Sequence, residues 1–160
     1  MNTICKLGLL TFLLAAFAIL GNAQTSETKV IDKFIAQQAA RYKGEEYPDA
    51  RKVVSGDLNH DGVPDSAVLY TIEGQGGSNN YIQYLAVFLG HKSGLVYATN
   101  TPVGGKNRRD VDLVAINDGV IDLNTTAYGP KDPSCCPTIK GTAKYALVAG
   151  RLKETANKRQ

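Results

Sequence analysis

Along residues 25–42 the apolar positions recur three and four apart, as Val30, Ile31, Phe34, Ile35, Ala39 and Tyr42, with Gln38 on the same stripe. That period predicts one amphipathic helix over Thr25–Tyr42 that must bury a face. Ser26 or Thr25 can cap its first amides, and Gly44 stands just past its end. The next stretch, Lys43–Asp49 with Pro48, reads as a polar linker. From Arg51 onward the pattern changes to short runs of Val, Ile, Leu, Tyr and Thr between Gly, Asn and Asp clusters, the signature of strands and turns. Strands are expected near Arg51–Gly56, Ser66–Ile72, Tyr81–Leu89, Leu95–Thr99, Val111–Ile116, Val120–Thr126, Thr138–Val148 and Leu152–Thr155. Asn117-Asp118-Gly119 supplies the positive backbone angles of a tight hairpin, and Ala149-Gly150 can do the same at the last one. The loop Glu73–Asn80, with three glycines, is expected to be mobile or ligand-facing. A leading helix followed by hairpin-linked strands implies an α+β fold, with the helix packed on one face of an antiparallel β-sheet of about six to eight strands. The polar tail Lys153–Gln160 is the candidate for disorder.

The first residues carry a different pattern. Lys6 precedes a largely apolar run from Leu7 to Leu20, followed by Gly21 and Ala23. This is the order of a secretory signal peptide over residues 1–23, and the run is shorter than the roughly 20 residues a membrane-spanning helix needs. Cleavage leaves residues 24–160 as a single exported domain, periplasmic or extracellular, with no membrane anchor. Loss of Lys6 takes the formal net charge from +3 to +2. That balance gives no argument for nucleic acid or an anionic membrane. Loss of Cys5 leaves Cys135 and Cys136, adjacent in the chain.

The strongest chemical signal is Gly56-Asp57-Leu58-Asn59-His60-Asp61-Gly62-Val63-Pro64-Asp65. Oxygen-bearing side chains occupy alternate positions as Asp57, Asn59 and Asp61, with Asp65 further on, and Gly62 permits a sharp bend. Calcium takes six to eight oxygen ligands, and such a turn can present side chains and the Val63 carbonyl inward. An EF-hand would place Glu where Val68 stands and flank the loop with helices, whereas these flanks read as strands. The loop resembles the calcium loop of FG-GAP and VCBS repeats, through Asp57, Asn59, Asp61, Gly62 and Asp65, the leading Gly56 and the Ser66-Ala67-Val68-Leu69 strand. There is one copy, so the repeat propeller is not implied. A turn rich in Asp and Asn that binds nothing is the competing reading.

The segment Asp132-Pro133-Ser134-Cys135-Cys136-Pro137 is expected to form a disulfide between neighbours in an oxidising compartment, against the alternative of two reduced thiols. With the Asp-rich loop, Tyr128 and the Tyr145-Ala146-Leu147-Val148 strand, it is similar to a group of small exported bacterial proteins of unassigned function, some of them lipoproteins. Ser93-Gly94-Leu95-Val96-Tyr97 resembles the Ser-Gly-x-x-Tyr loop of periplasmic lysozyme inhibitors, which implies Ser93, Gly94 and Tyr97 as an inhibitor loop. The tryptophan found downstream in some of those inhibitors is missing, since the chain has no Trp. Lys106, Arg108 and Arg109 read as a solvated basic cluster, and Tyr70, Tyr81, Tyr84 and Tyr97 as either a binding face or cross-strand packing. No catalytic set is visible around His60 or His91, which favours a non-enzymatic protein. The resulting expectation is an exported calcium-binding envelope protein, a binding or accessory module with a structural ion. The alternative is an inhibitor of an envelope-directed enzyme such as lysozyme, and in either case the partner is an unidentified envelope protein or enzyme.

Overall fold

Strict alternation along the central strands decides the layering. In the computed structural model, which describes residues 27–159, strand β3 (Asp65–Glu73) is buried from Asp65 to Ile72 on both of its faces. Val68, Tyr70 and Ile72 point one way and pack on Ile31, Phe34 and Ile35 of helix α1 (27–42). Ala67 and Leu69 point the other way, toward Val111, Leu113, Ile121, Leu123, Ala143 and Tyr145 of a second sheet. β4 (Tyr81–His91) divides in the same manner, with Tyr84, Ala86 and Phe88 toward the helix and Leu85 and Val87 toward the second sheet. A strand covered on both faces loses its polar alternation and reads as a continuous apolar run. Burying one large aliphatic or aromatic side chain is worth about 1.5–3 kcal/mol, so both cores are substantial.

The molecule is therefore α+β, but its strands form two antiparallel sheets rather than one of six to eight. The first sheet runs β1 (Glu45–Glu46), β3, β4 and β5 (Gly94–Gly105), with β2 (Lys52–Gly56) also paired to β3. The second runs β6 (Arg109–Asn117), β7 (Val120–Ala127), β8 (Ile139–Val148) and β9 (Arg151–Arg159). The physical reason lies in the double-sided strands: the helix covers one face of the first sheet, and only another sheet is wide enough to cover the other.

The chain changes sheets at the turn after Gly105, whose φ of +131 and nearby Asn107 at +60 bend it sharply. There Gln83 of β4 replaces missing backbone pairing. Its amide accepts from the Val111 N–H at 2.9 Å and donates to the Val111 carbonyl at 3.0 Å. Gly104 is required beside it, since a Cβ there would lie 2.4 Å from Gln83 Oε1.

Further expectations change. The polar linker contributes β1, which pairs Glu45 with Glu73, and a short 3-10 turn at Pro48–Ala50. The tail is not disordered through Arg159, because β9 pairs with β8 from Val148↔Arg151 to Gly141↔Arg159. Helix α1 ends at Tyr42, with Lys43 rather than Gly44 in the left-handed region. The Gly44 N–H donates to Ala39 O and the Lys43 N–H to Ala40 O, which is the paired closure of a Schellman turn. Gly44 is needed for contact instead, because its Cβ would meet Glu73 O at 2.4 Å. The expected caps Thr25 and Ser26 and the signal segment 1–23 lie outside the described residues. Among those residues no helix is long and apolar enough to cross a membrane.

Candidate functional site

The turn from Asp57 to Asp65 joins β2 to β3 at one end of the sandwich. Its sharp course follows from two left-handed residues, His60 (φ +60) and Gly62 (φ +80). The folded turn brings three of the sequence-predicted side chains together. Asp57 Oδ1 and Asn59 Oδ1 both accept from the Asp61 N–H, at 3.2 and 3.1 Å. Asn59 Nδ2 in turn donates to Asp61 Oδ2 at 2.8 Å. Asp57 Oδ2 accepts from the Gly62 N–H at 2.9 Å, and Asp61 Oδ1 from the Val63 N–H at 2.8 Å. The Gly62 amide, ahead of those of His60 and Asp61, holds the Asp57 carboxyl below its ordinary pKa. Asp57 therefore stays anionic at neutral pH.

Asp65 is set apart from that group. It is fully buried, with Oδ2 accepting from the Leu58 N–H and Oδ1 from the Gly90 N–H, both at 2.8 Å. It ties the entry of the turn to β4. Gly90 has room for no side chain, since a Cβ would lie 2.2 Å from Pro64 O. Among the described residues no group of three His, Cys, Asp or Glu side chains is placed to hold a metal ion. The oxygens that converge in the turn are a mixed set of two carboxylates and an amide. His60 is exposed, as expected, with its ring bordering the β6–β7 hairpin, where a Cβ on Gly119 would lie 2.6 Å from its Nε2.

Cys135 and Cys136 form the expected disulfide, with Cα atoms 3.8 Å apart, on the exposed connection between β7 and β8. Asp132 holds the base of that connection. Its carboxylate accepts from the Gly129 N–H at 2.7 Å and the Thr138 N–H at 2.8 Å, and these donors keep its pKa low. The Tyr128 hydroxyl closes the loop by donating to Ser134 O at 2.8 Å.

Ser93 lies in the β4–β5 turn, followed by Gly94 at φ +111. Tyr97 stacks its ring on Phe34 at 4.4 Å and donates its hydroxyl to Asn100 Oδ1 at 3.0 Å. Tyr97 thus serves the helix–sheet contact, while Ser93 stands at the tip. Two of the other tyrosines also pack, Tyr84 stacking on Tyr42 at 5.2 Å and on Tyr70, its β3 partner, at 5.3 Å, whereas Tyr81 donates its hydroxyl to Asp110 Oδ1 at 2.8 Å.

The basic cluster separates. Lys106 donates to Asn79 O at 2.6 Å and clasps the glycine loop. Arg109 is no solvated residue: it lies in β6 and donates to Glu154 Oε2 at 2.8 Å, Tyr145 Oη at 3.0 Å and Val103 O at 2.8 Å. The Tyr145 hydroxyl donates to Glu154 Oε2 at 2.6 Å. Burial, reinforced by Glu154, pushes the Tyr145 phenol up to about 12. This network escaped the sequence because Arg109 and Glu154 are far apart in the chain. The one signal was Glu154 as the lone acid in a basic terminal stretch.

No protein-family model matches the chain, and no curated protein or solved structure is significantly similar to it.

Proposed function

We propose that Asp57–Asp65 is a calcium-binding turn and that the protein is a non-enzymatic exported module, of binding or accessory type, whose strand geometry the ion secures. The observation that carries this reading is the convergence of Asp57 Oδ1 and Asn59 Oδ1 on one backbone N–H, with Asp61 bonded to Asn59. Gathering the Asp57 and Asp61 carboxylates with the Asn59 amide in one turn favours a cation among them. Asp57, Asn59, Asp61 and the Val63 carbonyl supply hard oxygen donors, the type calcium selects. Asp65 accepts one N–H on each oxygen and keeps lone pairs, so its place in the ligand pattern is compatible with its anchoring role. The export reading draws on the charged, apolar and small-residue order of residues 1–23, and a disulfide between Cys135 and Cys136 fits an oxidising compartment.

Calorimetric titration with calcium, repeated on Asp61→Ala, tests the reading. The expected result is a saturable heat and a melting temperature that rises with calcium, both lost in the variant. Absence of heat and of any melting shift at millimolar calcium defeats it.

A further inference from the structure

A formal net charge of only +3 hides a strong segregation. From residue 139 to 158 the chain carries Lys140, Lys144, Arg151, Lys153 and Lys158 against one acid, Glu154. Glu154 faces inward to Arg109 and Tyr145, so it does not offset the outer face. On β8 the inward positions are Gly141, Ala143 and Tyr145, which leaves Lys140, Thr142, Lys144, Ala146 and Val148 outward. On β9, Lys158 pairs with Thr142, Ala156 with Lys144, Lys153 with Ala146 and Arg151 with Val148, so these share the outer face.

Lys153 and Lys158 are five apart and in a regular strand would point to opposite faces. The register shift at Lys144/Tyr145 puts one extra residue, Thr155, into β9 and brings both lysines to the same side. The same shift turns Glu154 inward. Reading along the strand axis, the outer face then presents Lys140, Lys158, Lys144, Lys153 and Arg151, one cation at each successive outward level. Adjacent levels are about 7 Å apart, and the row spans about 27 Å. Among the described residues only Lys144 has an ion-pair partner in this row, Asp122 at 2.5 Å.

We infer that this row is a binding rail for an extended phosphodiester polymer lying along the β8–β9 hairpin. A single file of charges at regular spacing matches a chain with one anionic phosphate per repeat. Four of the five groups are lysines, which meet phosphate as point charges with no demand on its orientation. A broad anionic bilayer fits less well. On the same face β6 and β7 carry Asp112 and Asp122 beside the row, and a wide negative surface would meet them as well as the lysines. A narrow chain on β8 and β9 meets only Asp122, already bonded to Lys144, and leaves Asp112 two strands away. None of these residues belongs to Asp57–Asp65, so the inference stands apart from the calcium reading.

The test is calorimetric titration of the full chain with lipid-free poly(glycerol phosphate) over a series of salt concentrations. Binding should weaken with salt along a log–log slope of about −3, from about 0.7 per neutralised phosphate on a single chain. Lys153→Gln/Lys158→Gln should weaken binding about tenfold and flatten the slope by about 1.4. Lys29→Gln/Lys33→Gln, an equal charge loss on exposed positions of α1, should leave both nearly unchanged. A thermal melt checks that each variant folds; if the first pair does not, Lys140→Gln/Arg151→Gln gives the same readout at the ends of the row. Equal weakening by the helix pair, salt-independent binding, or no binding to the polymer overturns the inference. Binding to phosphatidylglycerol vesicles without binding to the polymer overturns it in favour of a membrane surface.

Discussion

Asp65 shows how one residue type at one spacing can be put to a use the spacing does not announce. Its carboxylate accepts from both the Leu58 and the Gly90 amides. Asp65→Ala leaves two buried donors unpaired, at a cost of about 3 kcal/mol. Urea unfolding should show that loss in chelator as well as in calcium, and a loss seen only with calcium would sink the anchoring role. The turn itself was legible: Asp57, Asn59, Asp61 and Gly62 occupy the places a tight bend needs. What stayed hidden was Gly90, which must be glycine because Pro64 O would lie 2.2 Å from a Cβ there; the contact sits beside the Gly90 N–H bond to Asp65, 25 residues earlier in the chain.

Strands and the helix were readable because their periods are local, and every expected strand from Arg51 onward appears with shifted ends. The joints between elements were not. Gln83 looks like an ordinary polar residue in a strand, yet its amide serves the Val111 N–H and carbonyl across the change of sheets. Gln83→Leu leaves both backbone groups without those bonds and should destabilise by about 2 kcal/mol in denaturant unfolding; an unchanged midpoint would show the joint to be dispensable. The Arg109–Tyr145–Glu154 network ties β6, β8 and β9 in a similar way. Burial alone would raise the Glu154 pKa, but donation from Arg109 and Tyr145 brings it below its reference of 4.5. A depressed carboxyl stabilises the folded form above pH 4.5, and that contribution is lost as pH falls through the lower folded value. Unfolding measured from pH 7 downward should show this acid-side loss, and Glu154→Gln should be less stable at pH 7 with a flatter acid limb. Identical acid limbs in the two proteins would exclude Glu154 as the group responsible.

The two-sheet arrangement makes the chain end structural. β9 completes the second sheet, carries Glu154 to Arg109, and places Leu152 against the main core. A chain ending at Gly150 should lose cooperative folding or melt about 10 °C or more lower, since a loss of several kcal/mol shifts a domain of this size by that order. A truncated chain melting as the full one does would return residues 151–159 to the status of a dispensable tail. The composition argued for disorder because Lys, Glu, Asn and Arg dominate there. A one-sided strand at the border of a sheet, with its outward face charged, has that same composition.

Periodicity, turn residues and the Asp57–Asp65 spacing established the helix, the strands, the α+β class and the tight oxygen-rich turn, because each depends on neighbours within a few residues. The number of sheets, the inward turn of Asp65, the Arg109 network and the single file from Lys140 to Arg151 were decided in three dimensions. They depend on which strand faces which and on one extra residue at Thr155 that sets the phase of β9. That phase is fixed by pairing with β8, a property no local pattern of side chains contains.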